Sequence, residues 1–270
     1  YLLRKIRKTT EETAKYVVRH LNLGTFKIWG QEVGFGYGKD YPAVELIEDT
    51  AYLRGRIDRV DVCHKDDKDY IKVIDYKTGK KTFHLSDAWQ GYDLQLLFYL
   101  YALLYSRAIG KDKVYPAGAF YFPAVYSLLS TEEENEENIE KLQTDSWLME
   151  GIALKEEEIL KAMDQQIEEK SSVFRGVGRK NTFEKENLLT QEEFEQILSH
   201  SYQLAKNMAT EILEGKIQAS PTMEKGNRKA CDFCRYQSIC GFDERKKDCI
   251  YRVVKEYSYE QIKAEIEEQI

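Results

Sequence analysis

No run of apolar residues in this sequence approaches the roughly 18 that a membrane-spanning helix needs. The most apolar stretch, LQLLFYLYALLY at 94–105, has 12 residues and suits a buried helix. No secretory signal opens the chain, because YLLRKIRKTT is basic with no apolar core behind it. No phosphate-binding G-x-x-x-x-G-K-S/T loop is present, so ATP hydrolysis has no seat in these residues. No internal repeat is visible. The five cysteines are an odd number, and three lie together. That disfavours a disulfide framework, fits a reducing compartment and places the chain in the cytoplasm. The sequence starts at Tyr1 without a Met and is expected to be a fragment of something longer.

What is present is a 270-residue chain, 42% hydrophobic, 12% aromatic and 32% charged, with a net charge of −7. It is long enough for one large domain or two small ones with a sizeable core. The acidic balance argues weakly against nucleic acid as a partner, but the charge is uneven. Acid gathers in TEEENEENIE (131–140) and KEEE (155–158). Base gathers in RKIRK (4–8), KTGKK (77–81), RGVGRK (175–180) and KGNRK (225–229). A path for DNA requires only a local basic stripe.

Residues 1–21 read as an amphipathic helix and 26–37 as strand and turn. Residues 43–47, 51–62 and 70–77 read as strands, the last two joined by the polar turn KDDKD (65–69). Helix is expected over 86–109, 153–168 and 191–214, and near 258–270. A strand covers 117–125 and stops at Pro123, and 131–145 is a solvated connection. Strands followed by packed helices predict an α/β or α+β domain around one sheet.

In a strand, residues two apart point the same way, so Asp75 and Lys77 of IDYKTG (74–79) share a face. Asp58 lies on the preceding strand, GRIDRVD. Pairing through the polar turn brings it near Asp75. Two carboxylates held together repel unless a cation sits between them. Hard oxygen donors suit Mg²⁺ or Mn²⁺, with water completing the shell. Lys77 adds positive charge for a water or a phosphate. An ordinary surface hairpin with ion pairs carries the same triplet. However, Asp75 falls within the apolar strand IKVIDY, where a free acid is rare. Gln95 and Tyr99, at i and i+4, share one helix face, and Tyr92 at i−3 joins them. Without context this is an aromatic core helix with a Gln at its margin.

GRIDRVD (55–61), IDYKTG (74–79) and QLLFY (95–99), in this order, resemble the RecB-like nucleases of the PD-(D/E)XK superfamily, whose pattern is G-x-x-D-R, D-Y-K-S/T-G and Q-x-x-x-Y. The resemblance implies an α/β, restriction-endonuclease-like core with a central mixed sheet flanked by helices. It implies Asp58 and Asp75 as metal ligands for Mg²⁺ or Mn²⁺, Lys77 as the catalytic lysine, and Gln95 and Tyr99 contacting DNA or orienting the site. His20 is at the wrong place for the family's upstream histidine and is expected on the surface.

The segment CDFCRYQSIC holds Cys231, Cys234 and Cys240 in a C-x2-C-x5-C spacing. Thiolates this close usually bind metal, and the spacing alone leaves zinc and an iron–sulfur cluster open. Cys249 follows, and Cys63 is expected in the hairpin turn. The spacing resembles the iron staple of AddB-type (RexB-type) nuclease subunits, and CRISPR-associated exonucleases carry a similar one. This implies a [4Fe–4S] cluster with its fourth ligand upstream. GQEVGFG (30–36), which makes Glu32 a site-adjacent candidate, PAGAFYFPA (116–124) and CGFD (240–243) also resemble the AddB type. The implied organisation is a nuclease domain over 1–220 with a cysteine-rich staple segment over 221–270. The implied role is a Mg-dependent exonuclease cutting single-stranded DNA at double-strand ends, beside an AddA-type helicase–nuclease subunit. A non-catalytic DNA-binding scaffold and a CRISPR-type exonuclease are the alternatives.

Overall fold

The computed structural model describes residues 2–79, 81–105, 113–125, 136–167, 171–175, 187–224 and 228–268. In chain order these form α1 (Leu2–Leu23), β1 (Lys27–Phe35), β2 (Val44–Ile47), β3 (Ala51–Leu53), β4 (Gly55–Lys65) and β5 (Lys68–Lys77). Then follow α2 (Leu85–Trp89), α3 (Gln95–Tyr105), β6 (Val114–Pro123), α4 (Glu136–Ser146), β7 (Glu150–Leu154) and α5 (Glu157–Met163). The chain continues with β8 (Leu188–Leu189), α6 (Gln191–Leu213), β9 (Thr222–Met223), β10 (Arg252–Val253) and α7 (Tyr259–Glu268).

The central sheet has six strands in the order β1-β4-β5-β6-β7-β8. The β1/β4, β4/β5 and β6/β7 pairs are antiparallel, while β5/β6 and β7/β8 are parallel. The fold is therefore α/β with a central mixed sheet flanked by helices. The β4–β5 hairpin follows from its turn: Asp66 and Asp67 both have positive φ (49° and 61°), with Lys65 opposite Lys68. Two such residues make the primed turn whose twist matches that of paired strands. The parallel β5/β6 pair needs a crossover, and α2 and α3 supply it. Leu96, Leu97 and Leu100 of α3 are fully buried against the sheet. On the other face, Tyr16 of α1 stacks on Trp147 at 5.0 Å, and His20 meets Phe122 edge-on at 5.5 Å. The capping box of Thr190 and Glu193 starts α6. Ile262 and Ile266 bury one side of α7, whose Glu265 accepts a hydrogen bond from Trp89. Among the described residues no helix is long and apolar enough to cross a membrane.

Several elements differ from expectation. The helix read over 86–109 is broken into α2 and α3. Gly91 (φ +89°) and the Tyr92 N–H bond to Asp87 O end the first helix, so Tyr92 lies outside α3, exposed. Residues 153–154, read as the start of a helix, belong to strand β7 (Glu150–Leu154). Its Gly151 lies so close to β6 that a Cβ would sit 2.0 Å from the Ala119 carbonyl oxygen. Residues 136–146 form α4 rather than an irregular connection, while 126–135 lie outside the described residues. Cys63 is a buried residue of β4, not of the turn, with its Sγ 3.5 Å from Thr25 Oγ1. His20 is buried, not on the surface, because it sits on the face of α1 that packs against Phe122.

Candidate active site

Strand register brings the acids level. Arg59 is opposite Ile74 and Val60 opposite Val73, so Asp58 on β4 falls beside Asp75 on β5. The Tyr76 backbone N–H donates to Asp58 Oδ2 at 2.8 Å. Asp75 is 3% exposed. Its Oδ1 accepts from Gln95 Nε2 at 2.8 Å. Its Oδ2 lies 2.7 Å from Lys77 Nζ, an ion pair by distance. The approach is off-axis, however, so this buried oxygen has no directed hydrogen-bond donor. Lys77 Nζ donates to Gln95 Oε1 at 2.7 Å, and Gln95 Nε2 also donates to Tyr99 OH at 2.8 Å. The Gln95 amide is thus the hub, its oxygen toward the ammonium and its nitrogen toward the carboxylate, the orientation that satisfies both.

Burial pushes the Asp75 carboxyl above the usual carboxylate range. Lys77 opposes that shift, while the negative charges of Asp58 and Asp93 add to it. Tyr99 is likewise raised by burial, with the charges of Asp75 and Asp58 acting in the same direction. One cluster therefore couples Asp58, Asp75, Lys77, Gln95 and Tyr99.

Two neighbours, Asp93 and Tyr121, escaped the sequence reading, and Lys81 entered it only within the basic run KTGKK. The Tyr121 O–H donates to Asp93 Oδ1 at 2.5 Å, and Asp93 Oδ2 lies 3.0 Å from Lys81 Nζ. The ammoniums of Lys77 and Lys81 stand 4.9 and 5.4 Å from the centroid of the Tyr121 ring. Tyr121 reaches the site because β6 runs parallel to β5 with Tyr121 opposite Asp75. That pairing joins residues 46 apart in the sequence, and no local pattern announces it.

The opposite face of the same hairpin carries a second charged group, sealed from water. Arg59 donates to both oxygens of Asp61, at 2.7 and 2.6 Å, and to Tyr76 OH at 3.2 Å. Lys72 Nζ lies 3.3 Å from Asp61 Oδ2 and 4.8 Å from the Phe26 ring centroid. Arg59, Asp61 and Lys72 are each at most 4% exposed. His20 joins this face. Burial, with the charges of Lys72 and Arg59, lowers its pKa to about 3, so it stays neutral.

Glu32 has positive φ (53°) and pairs with Arg56 at 2.8 Å, both side chains exposed. It falls level with Asp58, between the pairs Gln31–Arg59 and Val33–Ile57. Cys231, Cys234, Cys240 and Cys249 are free thiols, each partly or fully exposed. Among the described residues no three His, Cys, Asp or Glu side chains converge to hold a metal. The cysteines form no such group. Asp58 and Asp75 do fit a hard divalent ion that keeps several waters, because such ions take one or two carboxylates and the undirected Asp75 Oδ2 faces no better partner.

The model of the PD-(D/E)XK nuclease superfamily matches residues 1–241. The chain is 33% identical over 268 residues to the B-type subunit of the ATP-dependent helicase/deoxyribonuclease of Alkaliphilus oremlandii, covering 97% of this chain and 23% of that protein. The corresponding protein of Clostridium acetobutylicum is 34% identical, with 97% and 23% covered, and that of Caldanaerobacter subterraneus is 34% identical, with 94% and 22% covered. The chain thus spans about a quarter of the length of the curated relatives it matches. With the hairpin acids, the lysine and the glutamine of α3 in one cluster, this chain belongs to the PD-(D/E)XK nuclease superfamily.

Proposed function

We propose that this chain is the nuclease part, over 1–220, of an ATP-dependent helicase–deoxyribonuclease, with 221–270 as a cysteine-rich segment packed on it. It cleaves single-stranded DNA at double-strand ends in the cytoplasm, as an exonuclease. The reading is supported most by one observation: a lysine, a buried acid and a glutamine are hydrogen-bonded together beside a second acid, and one oxygen of the buried acid is left without a directed donor.

Asp58 and Asp75 would hold Mg²⁺ or Mn²⁺. Bound there, the ion supplies Lewis-acid polarisation of the phosphate and an activated water. The chain's own residues do the positioning. Tyr76 N–H fixes Asp58 through Oδ2. Gln95 fixes Asp75 through Oδ1 and holds the Lys77 ammonium in place. An ammonium has three N–H donors. Lys77 directs those left over at the attacking water or at charge developing on the phosphate, where a preorganised donor is worth most. Tyr99 braces Gln95 from α3. No ATP-binding loop lies in this chain, so unwinding belongs to an AddA-type partner subunit or to other parts of the longer protein. Cys231, Cys234 and Cys240 are proposed as three of four ligands to a [4Fe–4S] cluster in the longer protein, supported by their spacing.

The test is cleavage of a labelled single strand by this chain, with and without Mg²⁺, beside Asp75→Ala and Lys77→Ala. Mg²⁺-dependent cleavage that both substitutions abolish supports the reading. Equal cleavage by the variants, or none by the wild type with DNA still bound, favours a non-catalytic scaffold.

A further inference from the structure

Beyond the acids and Lys77, the site has a second cationic arm that the reaction does not use. Lys81 lies four residues past Lys77, beyond the turn that ends β5. Its ammonium arches over the same tyrosine ring as that of Lys77, within 5.4 Å of the centroid. Asp93 anchors it at 3.0 Å and is itself pinned: its other oxygen accepts the 2.5 Å hydrogen bond from Tyr121. Asp93 and Tyr121 are buried, while the Lys81 side chain is 40% exposed. A buried mount thus carries an accessible charge. One carboxylate oxygen cannot engage all three donors of an ammonium, so Lys81 presents unfilled N–H groups toward water.

The charges give this arm a purpose. Asp58, Asp75 and Asp93 set three negative charges against the two of Lys77 and Lys81. A divalent ion held by Asp58 and Asp75 would turn the local balance to positive. A strand crossing such a site brings one phosphate to Lys77 and a neighbouring phosphate alongside it. Both ammoniums lie within 5.4 Å of the centroid of one aromatic ring, which keeps the two charges close together.

We infer that Lys81, mounted on the Tyr121–Asp93 pair, is a phosphate-binding subsite for the polynucleotide residue next to the scissile one. It rests on the nuclease reading above. Lys81 is a binding residue; Asp93 and Tyr121 are positioning residues that act through it. The interaction is with backbone phosphate, so it is independent of base sequence.

The experiment measures binding of a fluorescent single-stranded oligonucleotide in Mg²⁺ across a salt series. A Lys77→Met background keeps the strand uncut. Adding Lys81→Met should weaken binding roughly tenfold, the worth of one charge-assisted contact. It should also flatten the log affinity against log salt slope by about 0.7, the signature of one lost phosphate on a single strand. Lys81→Arg should restore both. With Lys77 intact, Lys81→Met should raise KM and leave kcat near wild type, and Tyr121→Phe, which keeps the ring and frees Asp93, should do the same more weakly. An unchanged salt slope in Lys81→Met, with the wild type still cutting in Mg²⁺, would overturn the subsite and leave the nuclease reading standing. Failure of the wild type to bind or cut, or wild-type cleavage by Lys77→Met, overturns the nuclease reading itself and the subsite with it.

Discussion

The two faces of the β4–β5 hairpin are built from alternate residues of the same two strands, yet they treat charge in opposite ways. On one face Arg59, Asp61 and Lys72 are buried and mutually saturated: the guanidinium grips both carboxylate oxygens and the ammonium closes on one of them. On the other, Asp75 is equally buried, but one of its oxygens has only an off-axis lysine. A sealed, satisfied cluster holds strands in register. A cluster left one donor short has capacity for a ligand. Tyr76 links the two, its hydroxyl accepting from Arg59 and its backbone N–H clamping Asp58. The rigidity of the sealed face therefore aims the open one.

The largest effect that sharpens this contrast is on activity. Lys77→Ala should lower the single-turnover cleavage rate by on the order of 10³-fold, while the thermal midpoint stays near that of the wild type. The sealed face should respond in stability instead. Asp61→Asn strands two buried cations and should cost about 3–5 kcal/mol in urea unfolding, with activity lost only through unfolding. If Asp61→Asn proves as stable as wild type, the distinction between the faces collapses.

Acidity should separate the faces by sign. His20 on the sealed face has a folded-state pKa of about 3, below its ordinary value near 6.5. The native state therefore binds fewer protons than the unfolded chain. This contribution to stability is complete above pH 6.5 and is lost as the pH falls toward 3. Between pH 6.5 and 5 about 2 kcal/mol should go, and His20→Phe should flatten that slope. Asp75 is shifted the other way, upward by burial. Its native state holds a proton more tightly, so its contribution favours folding at low pH and fades as the pH rises through the carboxylate range. The smallest effect follows: Asp75→Asn removes a poorly satisfied charge and should leave stability within about 1 kcal/mol of wild type or raise it, while abolishing cleavage.

Local patterning carried the hairpin and the core of the site. The strand period placed Asp75 and Lys77 on one face, the polar turn set the pairing with Asp58, and the helical i, i+4 spacing joined Gln95 to Tyr99. Long-range partners were another matter. Tyr121 enters through parallel pairing of β5 with β6, and Asp93 sits just outside α3, held by that tyrosine. The break at Gly91 was hidden inside a run that is helical by composition. EGIAL at 150–154 is equally good as helix or strand until β6 offers an edge. His20 reads as a surface residue because it is out of place in the motif, and only the packing of α1 on Phe122 decides its fate. For the cysteines, spacing points to a metal, while among the described residues no three ligating side chains gather to hold one.

The most direct measurement is a calorimetric titration of Mn²⁺ into the chain and into Asp58→Asn and Asp75→Asn. Ion binding by the wild type that neither variant retains is the expected result, with all three equally folded by circular dichroism. Wild-type affinity for Mn²⁺ in Asp75→Asn would contradict it, because the open oxygen would then have no part in holding the ion.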